Sequence, residues 1–204
     1  MVRWKWAVSL GLMLGCAGTA TAWDRDAVQL HVTAGVTAKT SPHQYNSPAR
    51  LANASRIVGV GASIRLRQTL GASIDVDHTS FGAEFEPAAW APEQFPSVDR
   101  SSLTTVLLGL EARAHTADGH GPYLSAAIGA GRLSLGRVSV RDMNGGGVDY
   151  PATHHTGPAI ALGGGIRTPR LFGGPVLQIG VRSVSMLSRS HWLGIIPVTA
   201  GIAF

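Results

Sequence analysis

The chain has 204 residues, a formal net charge of +5 at pH 7, 45% hydrophobic and 14% charged residues, and 26 glycines. This length suits one ordinary domain. The basic residues are scattered along the chain and form no run of the kind that marks nucleic-acid binding, so we expect no nucleic-acid partner.

The beginning of the chain has the features of a secretory signal peptide. Arg3 and Lys5 form a positive segment before a short apolar run, and the small residues of Ala20 to Ala22 follow it. We expect cleavage between Ala22 and Trp23, which gives a signal peptide at 1–22 and a single mature domain at 23–204. The apolar run is shorter than the roughly 20 residues of a spanning helix, which argues against an uncleaved anchor.

Cys16 lies inside this leader and is the one cysteine of the sequence. Gly15-Cys16 is an alternative processing site of the lipoprotein type, but Met13 and Leu14 fit that pattern poorly. Cleavage after Ala22 leaves a mature chain without cysteine, and therefore without disulfide or thiolate chemistry.

Period-two alternation of apolar and polar residues recurs eight times after the leader and predicts eight two-faced strands. In the first strand, Val28, Leu30 and Val32 alternate with polar neighbours, and each strand is near the roughly 9–11 residues that a tilted strand needs to cross a bilayer. The predicted strands cover about 28–38, 56–67, 69–79, 101–114, 121–133, 156–167, 175–185 and 194–204.

The connections between these strands alternate in length. Those after strands two, four and six are short (68, 115–120 and 168–174), whereas those after strands one, three and five are long (39–55, 80–100 and 134–155). The connection after strand seven, 186–193, is intermediate. Short periplasmic turns and longer extracellular loops alternate in outer-membrane barrels whose termini are both periplasmic. The sequence therefore predicts an all-β fold, an eight-stranded antiparallel up-and-down transmembrane β-barrel, with its last strand closing on 28–38.

Eight up-and-down strands also describe a soluble periplasmic lipocalin-like carrier, and the direction of the alternation separates the two. A membrane barrel turns its apolar face outward, whereas a soluble barrel turns it inward. We expect the polar face to line a narrow lumen without a wide pore, where its charges pair across the interior. The charges of this predicted lumen network are Arg65, Arg67, Asp75, Asp77, Glu111, Arg113 and Arg182.

The mature chain resembles the small eight-stranded outer-membrane barrels of Gram-negative bacteria, of the OmpA transmembrane-domain, OmpX and opacity-protein type. The resemblance rests on P-Y-L-S-A-A-I-G-A-G at Pro122 to Gly131, G-G-G-I-R at Gly163 to Arg167, and the terminal Phe204. It implies an outer-membrane location and a structural or surface-interaction role through long loops, with lipid, lipopolysaccharide and an extracellular ligand as partners. It also implies that Phe204 is an assembly signal for the barrel-assembly machinery.

An enzymatic alternative is a lipid A-modifying hydrolase, with His78 as base, Ser80 as nucleophile and Glu84 orienting the imidazole. His-x-Ser is a short motif and lies on strand three, where the lipid A deacylases do not carry theirs, so we expect no enzyme.

His154 and His155 are adjacent and point to opposite faces of a strand, so the two side chains are poorly placed to bind one metal ion. We expect no metal and no cofactor.

Overall fold

The computed structural model of this chain describes residues 28–40, 49–85, 95–114, 120–141, 146–170, 174–188 and 191–204. The predicted signal peptide and its cleavage site at Ala22 and Trp23 lie outside the described residues. Within the described residues the chain forms strands and no helix long and apolar enough to cross a membrane. The strands are β1 (Val28–Lys39), β2 (Ala49–Arg67), β3 (Leu70–Phe85), β4 (Phe95–Val98), β5 (Ser101–Arg113), β6 (Gly121–Leu135), β7 (Val138–Arg141), β8 (Gly147–Tyr150), β9 (Thr153–Arg167), β10 (Val176–Ser188) and β11 (His191–Ala203).

Eight of these strands form a closed antiparallel barrel in the order β1-β11-β10-β9-β6-β5-β3-β2. The predicted closure of the last strand on the first is confirmed, with Ala34 opposite Ala200 and Val36 opposite Val198. Two backbone hydrogen bonds extend the pairing past the end of β11, because Phe204 donates to the Leu30 carbonyl (2.8 Å) and accepts from its N–H (3.2 Å). Closure satisfies the backbone groups that an open sheet would leave unpaired at its edges, which is what a spanning structure requires.

The two ends of the barrel differ in their connections. The β2–β3 turn, the β5–β6 and β9–β10 connections and the end of β11 share one end, and the β1–β2, β3–β5 and β6–β9 connections share the other. At that second end, which we name the loop end, β4, β7 and β8 form a separate three-stranded sheet in the order β4-β7-β8. The β3–β5 and β6–β9 connections are long (86–100 and 136–152), as predicted, whereas the β1–β2 connection (40–48) is hardly longer than the β5–β6 and β9–β10 connections (114–120 and 168–175) at the opposite end. The β10–β11 connection, predicted at 186–193, is reduced to 189–190.

Two of the predicted long connections are shorter than expected, because the strands beside them extend farther. β2 begins at Ala49, and its pairing with β3 continues to Ala49 opposite Phe85, beyond an irregularity between Leu51 and Ser55. The stretch from Leu51 to Ser55 is L-A-N-A-S, whose small and polar residues carry no clear alternation. β2 therefore begins before its predicted start at 56 because its backbone pairs with β3, and not because its side chains alternate.

The outward face of the barrel is apolar. Leu124 is 70% exposed and Ile128 69% exposed, both on β6, and the same face of β11 and β1 carries Ile196, Val198 and Val36. A soluble barrel has the opposite arrangement, with its apolar residues inside. Exposed apolar residues on every strand of a closed barrel form the lipid-facing band of a transmembrane barrel.

The interior is divided into a polar part and an apolar part. Aliphatic and aromatic side chains fill the middle and loop-end half of the lumen and are at most 2% exposed. This apolar cluster consists of Phe81, Leu103, Leu107, Leu133, Ala159, Ala161, Val184, Met186, Leu193 and Ile195. The expectation of a lumen lined by polar side chains thus holds only toward the terminal end. β5 contributes to the difference, since Leu103 and Leu107 lie on its inward face.

Candidate functional site

Two charge networks occupy the polar part of the lumen, and the first is built around two carboxylates of β3. Arg182 of β10 reaches Asp77 Oδ2 through Nη2 at 2.7 Å and Asp75 Oδ2 through Nη1 at 3.4 Å. His31 of β1 donates from Nε2 to Asp75 Oδ1 at 2.8 Å, and the Ser73 hydroxyl donates to Asp75 Oδ2 at 3.3 Å. One guanidinium therefore compensates the buried Asp77 and the half-buried Asp75, and the imidazole of His31 binds Asp75.

The second network is built around Glu111 of β5. Arg113, two residues along the same strand, places Nε 2.6 Å from Glu111 Oε1, and Arg167 of β9 places Nη1 2.6 Å from the same oxygen. Arg167 Nη2 also donates to Glu111 Oε2 at 2.9 Å, and its guanidinium lies 4.8 Å from the ring centroid of Tyr123. Two cations and an aromatic face thus surround one buried carboxylate, with Ser63 accepting from Arg113 at 3.3 Å.

Glycines on β2 make room for the first network. A Cβ at Gly59 or Gly61 would lie within 3 Å of the Asp77 or Asp75 carboxylate, respectively. Any side chain on these inward positions would therefore displace the charged groups. Inward-facing glycine in this part of β2 is a packing requirement of the network.

A cavity of about 60 Å³ lies between the two networks, lined by residues that include His31, Asp75, Glu111, Tyr123 and Arg182. This volume accommodates only a few water molecules. The apolar cluster closes the lumen on the loop-end side, where Leu107, Leu133 and Met186 have no exposed surface. The described barrel therefore contains no wide pore.

The predicted lumen residues are divided between these contacts and the mouth of the barrel. Asp75, Asp77 and Arg182 meet in the first network, and Glu111 and Arg113 meet in the second. Arg65 and Arg67 join neither network among the described side chains. Arg65 is half-buried, and Arg67 is exposed beside the β2–β3 turn.

The prediction of a lumen network omitted several contributors, among them His31, Tyr123, Arg167 and Gln178. All four are on inward positions of the alternation and are buried or half-buried. Arg167 Nε donates weakly to Gln178 Oε1, at 3.4 Å. Extending the inward register to every polar residue, not only to the charges of four strands, would have identified them.

Two of the candidate hydrolase residues, His78 and Ser80, lie on the outside of β3. His78 Nδ1 is hydrogen-bonded to Thr104 Oγ1 of β5 at 3.0 Å, so that ring nitrogen is engaged by β5 and not by Ser80. The Glu84 side chain lies outside the described residues. Among the described residues no group of three His, Cys, Asp or Glu side chains could hold a metal ion. His154 Nδ1 is hydrogen-bonded to Ser134 Oγ at 3.1 Å, on the outer surface of β6 and β9.

No protein-family model matches the chain, and no curated protein sequence matches it. Solved structures do match. The crystal structure of Ail, the attachment invasion locus protein of Yersinia pestis, aligns with a TM-score of 0.56 and 14% identity over 87% of this chain and 99% of Ail. The complex of Ail with the heparin analogue sucrose octasulfate aligns with a TM-score of 0.53, at the same identity and coverage. The chain therefore has the fold of the small eight-stranded outer-membrane β-barrels.

Proposed function

We propose that this chain is an integral outer-membrane protein of a Gram-negative bacterium, with a surface-interaction role carried by its loops. The observation that carries the proposal is the inversion of the barrel, with apolar side chains outside and paired charges inside. An apolar belt of this kind in water would promote aggregation, whereas in a bilayer it is stabilising.

Membrane fractionation with heat-modifiable gel mobility tests the location. We expect the protein in the outer-membrane fraction, running faster when unheated than after boiling. Recovery in the soluble periplasmic fraction would support the lipocalin-like carrier instead.

The mass of the recovered chain tests the leader, because cleavage after Ala22 leaves Trp23 as the first residue. An acylated Cys16 would show lipoprotein processing.

The loop end is the part of the barrel that we propose to face the outside of the cell. Loops on a rigid scaffold commonly carry binding functions, and here β4, β7 and β8 add a small sheet to them. Trypsin applied to intact cells tests this topology, because Arg100, Arg137 and Arg141 are exposed at this end. We expect cleavage there in intact cells. Protection until the cells are lysed would reverse the orientation.

Binding of an acidic saccharide is a second candidate for the loops. Ail is known in complex with sucrose octasulfate, and the loop end of this chain exposes Arg100, Arg137 and Arg141 beside two carboxylates, Asp99 and Asp149. Retention of the purified barrel on heparin resin tests it. Elution of the Arg137→Ala/Arg141→Ala variant at a lower salt concentration than the natural protein would support saccharide binding, provided that Arg67→Ala, at the other end, elutes as the natural protein does. Equal elution of all three proteins would exclude it.

We propose no catalytic role for His78, Ser80 and Glu84. The hydrogen bond between His78 and Thr104 supports a structural role for the imidazole. Mass spectra of lipid A from cells with and without the protein test this directly. Unchanged spectra are expected, and loss of an acyl chain that depends on Ser80 would restore the hydrolase.

A further inference from the structure

Charge is segregated between the two faces of the barrel wall. The described carboxylates of the spanning strands, Asp75, Asp77 and Glu111, all lie inside and are paired. Away from the β2–β3 turn, where exposed Arg67 pairs with Leu70, the charged side chains on the described outward faces are Arg56 and Arg132, both exposed. Neither has an ion pair with a carboxylate among the described residues. Away from the β2–β3 turn, the described side chains on the lipid-facing side of the barrel therefore carry positive charge only, at two places.

The strand register places these arginines in two adjacent polar rows across β2, β3, β5, β6 and β9. The first row runs through Arg56, Ser80, Ser102, Ser134 and His154, each opposite the next. The second row lies one outward position closer to the membrane centre and runs through His78, Thr104, Arg132 and Thr156. We name these two rows the rim patch.

The row directly below the rim patch is wholly apolar. It runs through Val60, Val76, Val106, Ala130 and Pro158, again each opposite the next. The outward surface thus changes from hydrocarbon to hydroxyl, imidazole and guanidinium groups within one step along β3, β5, β6 and β9, and one position later on β2, where Val58 lies opposite His78. A change this abrupt marks the boundary between the acyl chains and the headgroups of the surrounding lipid.

Among the described residues the rim patch lies on one flank of the barrel, and its continuation from β9 onto β10 would fall at 189–190, outside them. At the same end, β10 and β11 present Leu187 opposite Trp192, and Trp192 is 47% exposed. Farther down β11, Ile196 and Val198 continue the apolar surface. The flank of β2 to β9 can therefore engage a charged lipid headgroup that the flank of β10 and β11 does not favour.

Phosphate is the group that this chemistry recognises best. Guanidinium groups bind phosphate with two parallel hydrogen bonds, and the serine and threonine hydroxyls beside them can donate to phosphate or sugar oxygens. Arg56 and Arg132 lie on strands three positions apart and in adjacent rows, which gives about 14 Å across the strands and about 7 Å along them, or roughly 16 Å in all. That separation suits a headgroup with two phosphates at the ends of a disaccharide, and the apolar row below would lie along its acyl chains.

We propose that the rim patch is a binding site for the phosphorylated disaccharide headgroup of lipid A, held by Arg56 and Arg132. The proposal rests on the outer-membrane location proposed above, because the loop end then reaches the outer leaflet, where lipopolysaccharide is the main lipid. His78 and His154 contribute imidazole groups at the two ends of the patch. One flank of the barrel would then carry a bound lipid at a defined position.

Native mass spectrometry of the purified barrel in detergent tests the proposal, with diphosphoryl lipid A, dephosphorylated lipid A and phosphatidylglycerol as separate probes. The test variant is Arg56→Gln/Arg132→Gln, and the matched control is Arg67→Gln, an exposed arginine at the other end. Gel mobility of unheated samples shows that each variant is folded. We expect the test variant to bind diphosphoryl lipid A at least tenfold more weakly than the natural protein, and the control to bind it equally well.

Three outcomes would overturn the site. They are undiminished lipid A binding by the test variant, equal binding of dephosphorylated lipid A, and phosphatidylglycerol binding as tight as that of lipid A, which would indicate general attraction to anionic lipid. These results differ from failure of the proposed location. If the protein fractionates with the outer membrane and the test variant keeps its lipid A affinity, only the proposed site is wrong. If the protein is soluble in the periplasm, the proposed location and the proposed site are both wrong.

Discussion

Arg182 and Asp77 lie on opposite walls of the barrel, and their charged groups meet at 2.7 Å. β10 and β3 are four strands apart in either direction around the closed sheet, so this ion pair crosses the full lumen. Asp77 is 4% exposed, and burial of an uncompensated charge is costly. The interior is therefore held together by contacts between walls that the backbone hydrogen bonds do not connect.

Replacing Arg182 with alanine should strongly destabilise the barrel. The change leaves Asp75 and Asp77 buried beside each other without their guanidinium, and breaking a buried pair in this way costs about 3–5 kcal/mol. Urea unfolding of the refolded protein in detergent measures the loss. Arg67→Ala serves as the control, because surface substitutions are usually within about 0.5 kcal/mol. Equal unfolding midpoints for the two variants would show that the ion pair contributes nothing.

The apolar cluster can be separated from the lipid-facing belt with two neighbouring leucines of β5. Leu107 is 0% exposed inside the lumen, and Leu108 is 59% exposed outside. Leu107→Ala should cost about 2–5 kcal/mol, since it leaves a cavity among packed side chains. Leu108→Ala should cost less, because lipid or detergent fills the space. Urea titrations compare the free energies of unfolding of the two variants. A larger loss of stability for Leu108→Ala would contradict a packed core inside the barrel.

Charge introduced on the outer face should be tolerated only near the rim. Ile128→Arg puts a cation in the middle of the apolar band, where arginine costs about 2–4 kcal/mol in a transmembrane barrel. Thr156→Arg puts it in the rim patch, where the cost falls to about 0–1 kcal/mol. Folding yields in lipid vesicles across a urea series measure both. Similar yields for the two variants would argue that Ile128 does not face hydrocarbon.

Phe204 is predicted to act in assembly more than in stability. Its side chain is 70% exposed on the outside, whereas its backbone closes the pairing with Leu30. Phe204→Ala should therefore lower the amount of barrel inserted in cells and leave the urea midpoint of the purified protein nearly unchanged. Ile202→Ala, on the same outward face, is the control. A variant that inserts at the natural level would remove the assembly role.

The fold was readable from the sequence because a spanning barrel repeats one simple pattern. Alternation such as that of Val28 to Thr37 predicts both the strand and which of its faces meets lipid. The lengths of the connections predict the up-and-down order of the strands. Short strands such as β4 and β8 have four residues each, too few for a recognisable period. Leu107 shows a second limit of sequence-based prediction. Alternation alone predicts a polar lumen, but this apolar residue is on the inward face and packs in an apolar core inside the barrel.

The interior partnerships were less accessible to sequence reasoning. Arg113 folds back onto Glu111 of its own strand, whereas Arg182 crosses the lumen. The choice depends on register, strand tilt and side-chain reach, none of which appears in a list of inward charges. Arg65 has the same charge and the same inward face as Arg113, but it lies toward the mouth, where no described carboxylate reaches it. An irregularity in the register between Arg65 and Arg67 pairs Arg67 with Leu70 of the outward face, which alternation alone did not predict.

Single-cysteine scanning of β6 tests the central claim most directly. With Cys16 replaced by serine, a spin label is placed in turn at 124–128 and the protein is reconstituted in lipid bilayers. We predict that labels at Leu124, Ala126 and Ile128 collide readily with dissolved oxygen and poorly with a water-soluble nickel chelate. Labels at Ser125 and Ala127 should be immobilised and shielded from both. The opposite alternation, or free access of the chelate to 124, 126 and 128, would contradict a barrel whose apolar face meets the membrane.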